Sequence, residues 1–247
     1  MSATGVRRDA VPNISPHSIT SDLSARRFTA LDAAFLGVLA LMVACHIAAA
    51  LLARGWVTAA ATDVLVACCL LAMATRPAWR PLLLRLFVLG LVAGVLELFT
   101  DASGEHVAHS LVYPTGEPML WDSPLYMPLS WAVVLTQLGY LGWRLRGLVP
   151  PLRLWQAAAL AGLAGAATVP FYEEMAYYAG WWRYTPVLHV GHTPIYVLLF
   201  EGGTAALLPL ITGRLLARPV RHAALLGIVV GVWMPVVALL SWLAVGR

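Results

Sequence analysis

Long runs of apolar residues, separated by short polar connections, make up almost the whole chain after residue 28. Each run has about the 20 residues that a helix needs to cross the hydrocarbon layer of a membrane. The runs lie at approximately residues 30–52, 57–75, 82–101, 125–145, 155–178, 193–213 and 222–245. This pattern predicts an all-α, polytopic integral membrane protein whose residues 29–247 form seven transmembrane helices.

Residues 1–28 have a different character, since they are polar and rich in Ser, Thr and Arg. They lack the apolar core that a secretory signal needs. We expect this segment to be an uncleaved, disordered tail.

The composition agrees with a membrane protein and excludes several functions. Hydrophobic residues make up 60% of the chain and charged residues only 11%, whereas about 25% of a soluble domain is charged. The 16 basic residues are all arginines and are spread thinly along the chain, so we expect no nucleic-acid partner. The absence of lysine excludes chemistry through a lysine Schiff base, including that of retinal and PLP.

The arginines also predict an orientation. If seven spans cross the membrane in alternate directions, thirteen of the arginines lie on one side, in the N-terminal tail and around alternate turns. Arg54, Arg183 and Arg247 lie on the other side. Because short cytoplasmic loops retain arginine, we expect a cytoplasmic N-terminus and an external C-terminus. A bacterial-type inner (plasma) membrane fits this bias.

Ionisable residues gather in the outer half of the predicted bundle. An ionised group inside a span costs several kcal/mol unless it is paired or hydrated, so such a cluster predicts a functional cavity. Its members are His46, Asp63, Glu97, Asp101, Glu173, Glu174 and Glu201. Glu105, Glu117 and Asp122, in the outer connections, are instead expected to be hydrated at the interface.

Glu97 and Asp101 are one helical turn apart and therefore share a helix face. Two carboxylates so close do not both ionise easily. They are a candidate acid and base, or two ligands of a cation. We expect Gly104 to weaken the helix after them, which assigns Glu105 and His109 to a following turn.

Two His-x-x-His pairs lie in the two long outer connections. They are His106 with His109, and His189 with His192. With an acidic oxygen ligand such as Asp101 or Glu201, these imidazoles are candidate ligands of a divalent transition metal. Because no His-Glu-x-x-His motif is present, the metal site is an alternative hypothesis and no cofactor is favoured.

A short internal similarity relates the two outer regions. Residues 122–126 (DSPLY) resemble residues 192–196 (HTPIY), and Trp131 and Glu201 follow the two tyrosines at the same distance. Helix pairs related in this way often surround one binding site. The predicted repeats are residues 95–145 and 168–213.

Aromatic residues are denser near these acids than a membrane-interface belt requires. Their π faces can line an apolar pocket and stabilise a developing positive charge. The predicted substrate-binding residues are Tyr113, Trp131, Tyr177, Trp182, Tyr184 and Tyr196, together with Asp63.

Residues 95–205 resemble polytopic isoprenoid-modifying enzymes of the carotenoid hydratase and heterodimeric lycopene cyclase type. Residues 170–174 (PFYEE) are similar to the Pro-x-Glu-Glu motif of the cyclases but contain one more residue. Glu97, Tyr113, Pro124 and Trp131 look like the intramembrane Glu, loop Tyr, Pro and Trp of the hydratases. The resemblance implies metal-free acid catalysis on a polyene, and it leaves the extra histidines unexplained.

These observations favour a membrane-embedded enzyme that acts on an isoprenoid or another lipid by carboxylate acid–base chemistry. The candidate catalytic residues are Glu97, Asp101, Glu173, Glu174 and Glu201. The expected partners are membrane lipid and an apolar small-molecule substrate. There are three alternatives: a metal-dependent oxidoreductase or hydrolase, a proton or metal-ion transporter, and a non-catalytic subunit. The sequence does not determine the oligomeric state.

Overall fold

The computed structural model describes residues 28–148, 152–213 and 215–246, which contain seven helices. The predicted tail at residues 1–28 lies outside this part of the chain except for Phe28. The helices are α1 (Ala30–Leu52), α2 (Trp56–Met73), α3 (Arg80–His106), α4 (Met127–Leu148), α5 (Leu154–Ala179), α6 (Ile195–Thr212) and α7 (Val220–Val245). Each lies within a few residues of a predicted apolar run.

Six of these helices are long and apolar enough to cross a membrane, which indicates an integral, multi-pass membrane protein. The exception among the described helices is α4. It carries Thr136, Gln137 and Arg144, and half of its residues are buried against other helices. A helix surrounded by protein does not need an apolar surface on every side.

Close backbone approach at glycines holds the bundle together. A Cβ at Gly90 of α3 would lie 2.8 Å from the Ala132 carbonyl oxygen of α4, and one at Gly231 of α7 would lie 2.5 Å from Leu96 Cβ of α3. Small residues of this kind let membrane helices pack at short distance. The pairs α3–α4, α5–α6 and α3–α7 form the most extensive helix contacts.

The two long connections, between α3 and α4 and between α5 and α6, contain short strands, so the described chain is mostly helical but not purely α. In the first connection β2 (Met119–Leu120) pairs with β3 (Ser123–Pro124); in the second, β5 (His189–Val190) pairs with β6 (Thr193–Pro194). A third pair, β1 (Leu111–Val112) with β4 (Arg183–Tyr184), joins the two connections to each other. The segments α3–α4 and α5–α6 thus have the same order of helix, strand, hairpin and helix.

One local expectation is wrong. Helix α3 continues through Gly104 to His106, so Glu105 belongs to the helix and only His109 lies beyond it. Arg144, one of the arginines that flank the turn after the fourth predicted span, is 4% exposed, and its Nε lies 2.7 Å from Asp32 Oδ1. A buried guanidinium needs such a charged partner.

Candidate functional site

A cavity of about 130 Å³ lies where the ends of α3, α5 and α7 meet the beginnings of α4 and α6. Four of the five predicted catalytic carboxyl groups line it: Glu97, Asp101, Glu173 and Glu201. Five of the predicted substrate-binding aromatic residues also line it: Tyr113, Trp131, Trp182, Tyr184 and Tyr196. The site therefore consists of acids enclosed by aromatic rings.

Helix α3 contributes a pair of neighbouring carboxyl groups. Glu97 and Asp101, one turn apart, face each other within hydrogen-bonding reach, and the Trp131 indole lies beside Glu97. Asp101 Oδ2 accepts hydrogen bonds from the Tyr113 hydroxyl at 2.6 Å and the Ser123 hydroxyl at 2.7 Å. Two carboxyl groups in such contact share a proton, because two adjacent buried charges are too costly.

Helix α5 contributes Glu173, which is 4% exposed. Its Oε2 accepts a hydrogen bond from the Trp182 indole N–H at 2.9 Å, and its Oε1 lies 3.4 Å from the Tyr184 hydroxyl. Tyr113 and Tyr184 therefore hold one carboxyl group each, from the two connections that the β1–β4 pair joins. Burial raises the pKa of both tyrosine hydroxyls well above the usual value, so both remain neutral hydrogen-bond donors.

Helix α6 contributes Glu201, which is unlike the other three. It lines the cavity and accepts no hydrogen bond from the described residues. The aromatic rings of Trp131 and Phe200 lie close by, with their centroids 5.8 Å apart. A carboxyl group in such apolar surroundings is costly to ionise.

Glu174 and Tyr177, two other predicted site residues, do not line the cavity. The Glu174 carboxylate lies 2.8 Å from His192 Nδ1 and also accepts the backbone N–H of His192. Tyr177 stacks on the same imidazole with a centroid distance of 3.5 Å. These residues fasten the second hairpin to α5, and the adjacent residue Glu173 is the one that faces the cavity.

Asp63 also lies outside the cavity lining, although it is connected to it. Its carboxylate accepts a hydrogen bond from the hydroxyl of Ser130, which does line the cavity. Asp63 is therefore placed to position a lining side chain and not to contact a molecule in the cavity. His46, on α1, is buried against Tyr172 and Trp181.

The predicted metal-binding histidines are separated. The one group of three potential metal ligands within the described ranges is Glu105, His106 and Asp122, whose ligand atoms lie within 4.8 Å of one another. The His106 side chain is 61% exposed. His109, His189 and His192 are not part of this group. A metal hypothesis would therefore rest on Glu105, His106 and Asp122, of which His106 alone is exposed.

Sequence reasoning missed several residues that shape the site. Ser123 and Ser110 are both fully buried; Ser123 holds Asp101, and Ser110 Oγ lies 2.9 Å from the Tyr196 hydroxyl. Ser123 sits inside the DSPLY segment, so the repeated pattern was a usable signal for it. Nothing in the pattern pointed to Ser110 or to Trp242 of α7, which also lines the cavity.

Comparison with known proteins gives one match. The model of a family described as a domain of unknown function (DUF6989) matches residues 98–245, which is more than half of the chain. The chain belongs to this family. The matched region runs from the last turns of α3 to the end of α7 and contains Asp101, Glu173 and Glu201. No curated protein and no solved structure matches the chain.

Proposed function

We propose that this DUF6989 protein is a membrane-embedded enzyme that isomerises, cyclises or hydrates an unsaturated lipid of the isoprenoid type by carboxylate acid–base chemistry. The observation that carries the proposal is the cavity in which four carboxyl groups and eight aromatic residues converge. Buried acids of this kind are costly for folding and are retained where they serve a function.

The proposed topology has seven transmembrane helices, a cytoplasmic N-terminus and the cavity in the outer half of the membrane. The arginine distribution supports the orientation. The length of α4, 22 residues, supports a seventh span although its composition is less apolar.

The surroundings of each carboxyl group suggest its role. Glu201 accepts no hydrogen bond from the part of the chain that the structure describes, so we assign it as the acid that protonates a carbon–carbon double bond. Glu173 and the Glu97–Asp101 pair have donors or a shared proton, so they are the groups that accept a proton from the resulting carbocation. The faces of Trp131, Trp182 and the tyrosines stabilise that cation.

Solvent-derived deuterium tests this reaction even when the product has not been identified. The purified protein in lipid vesicles is incubated with a set of unsaturated isoprenoid lipids in D₂O, and the lipids are analysed by mass spectrometry. We expect deuterium on carbon for at least one lipid, because the acidic protons exchange with solvent before transfer. Glu201→Gln and Glu173→Gln should each slow incorporation by about 100-fold or more.

Glu174→Gln is the matched control, since it removes the carboxylate next to Glu173 that contacts His192 instead of the cavity. It should incorporate deuterium at nearly the wild-type rate. Full incorporation by correctly folded Glu173→Gln and Glu201→Gln variants would refute the proposed chemistry.

A further inference from the structure

Two of the residues that line the cavity have exposed side chains and mark the place that we call its mouth. Among the described residues that line it, only Val107 and Leu239 are exposed, at 53% and 40%. Val107 directly follows the end of α3, and Leu239 lies in the last two turns of α7. The mouth therefore lies between the ends of these two helices.

The first half of α7 packs closely on α3, and its second half lines the cavity. A Cβ at Gly227 would lie 2.6 Å from the Leu89 carbonyl oxygen, and Gly231 lies equally close to α3, so the first half of α7 packs tightly on that helix. Pro235 follows one turn later inside α7, where it cannot donate a backbone hydrogen bond and bends the helix. Beyond it, the α7 residues Ala238, Leu239 and Trp242 line the cavity.

The surface around the mouth has the character of a lipid-facing wall. Phe99 of α3 and Val236, Leu240 and Leu243 of α7 are all exposed. From residue 223 to residue 245, α7 contains no charged side chain. An exposed apolar surface of this kind, on a helix long enough to cross the membrane, faces hydrocarbon and not water.

The size of the cavity limits what can enter it. An engineered cavity of roughly 150 Å³ in another protein binds one benzene molecule, and this cavity measures about 130 Å³. It therefore holds a group of about six carbon atoms. A longer molecule must leave the rest of its chain outside the mouth, in the bilayer.

We propose that the mouth between Val107 and Leu239 is a lateral portal through which a membrane-dissolved lipid inserts the end of one apolar chain into the cavity. Only this terminal group reaches Glu97, Glu173 and Glu201. The portal makes the substrate a single-chain lipid that reacts at its end. This inference rests on the proposed function for its chemistry, whereas lipid insertion is testable by itself.

The test uses a long-chain alcohol that carries a photoreactive diazirine at the end of its chain, added to vesicles that contain the full-length protein. After illumination, mass spectrometry locates the cross-links. We expect wild-type protein to be labelled on cavity residues such as Trp131 and Tyr172. The double variant Val107→Trp/Leu239→Trp should lose this labelling, because two indoles block the mouth.

Leu240→Trp is the matched control, since Leu240 is the next residue of α7, is exposed and does not line the cavity. It should keep the labelling, and thermal unfolding checks that all variants are folded. Equal cavity labelling in wild type and the double variant would overturn the portal, as would an absence of cavity labelling in wild type. A short water-soluble diazirine that labels the cavity in both proteins would also overturn it, because the cavity would then be reached from water.

Glu201→Gln separates the two proposals. It should keep the cavity labelling while it loses deuterium incorporation. Labelling of wild type without deuterium incorporation into any lipid would refute the chemistry and leave the portal intact.

Discussion

Replacing Glu117 by Gln tests whether the outer connection contains a carboxyl group that opposes folding when it ionises. Glu117 precedes β2, outside the helices, and is 8% exposed, in contrast to the hydrated interface residue that the sequence predicted. Both of its carboxyl oxygens are buried and have no hydrogen-bond partner among the described residues. This burial raises the pKa of Glu117 from 4.5 to about 7.

The raised pKa of Glu117 determines the sign and the size of the change in folding stability with pH. Because the pKa is higher in the folded protein, the folded state binds the proton more tightly than the unfolded state. The resulting stability is fully present below pH 4.5 and is lost as the pH rises through 7. For these two pKa values the loss between about pH 5 and about pH 8 is about 2.5 kcal/mol.

Thermal unfolding in detergent, followed by circular dichroism across this pH range, measures the difference. Glu117→Gln cannot ionise, so its unfolding free energy should fall less with pH than that of wild type, and the variant should be the more stable protein at about pH 8. Glu105→Gln, which removes a partly exposed acid at the end of α3, is the comparison variant for the loss of one carboxyl group. If Glu117→Gln and wild type had parallel pH curves, the argument from burial would be wrong.

Two further changes test the packing of the bundle by the same unfolding assay. Arg144→Met should cost about 3–5 kcal/mol, because it removes the charged partner of the buried Asp32 carboxylate, which then keeps, among the described residues, only its hydrogen bonds from Tyr140 and Thr29. Adding Asp32→Asn should restore most of that loss, and a double variant no more stable than the single one would contradict this. Gly231→Ala should lower the free energy of unfolding by about 1–3 kcal/mol, because the new Cβ would lie 2.5 Å from Leu96 Cβ. Gly37→Ala is the control and should be tolerated, since no atom lies within 4 Å of its new Cβ. Equal stability of these two alanine variants would show that α3 and α7 are not held at this distance.

Much of the helical framework could be predicted from the order of residues alone, because hydrophobic length is a local property. Six apolar helices follow from runs of about 20 residues that bury their backbone polar groups internally. The seventh, α4, is predicted at nearly the right place, yet its polar residues mark it as a helix surrounded by others. The burial of Arg144 could not be predicted, because its partner Asp32 lies 112 residues earlier in the chain.

Part of the candidate site could likewise be predicted from the sequence, and part could not. Local sequence identified the acids Glu97, Asp101, Glu173 and Glu201 as unusual, since charge inside an apolar run is expensive wherever the run folds. It could not decide between Glu173 and Glu174, because neighbouring residues of a helix point about 100° apart and only the packing of α5 selects one. It also grouped four histidines that the fold does not assemble into one cluster of ligands.

The sequence by itself determined the environment in which this protein folds and the types of side chain available for chemistry, since both depend on composition and short-range spacing. Only the tertiary structure decided which of those side chains share a cavity and which helix ends enclose it. These features arise from contacts between residues far apart in the chain, such as Gly231 with Leu96 and Ser110 with Tyr196. Their distances are fixed by helix packing and strand pairing rather than by sequence separation.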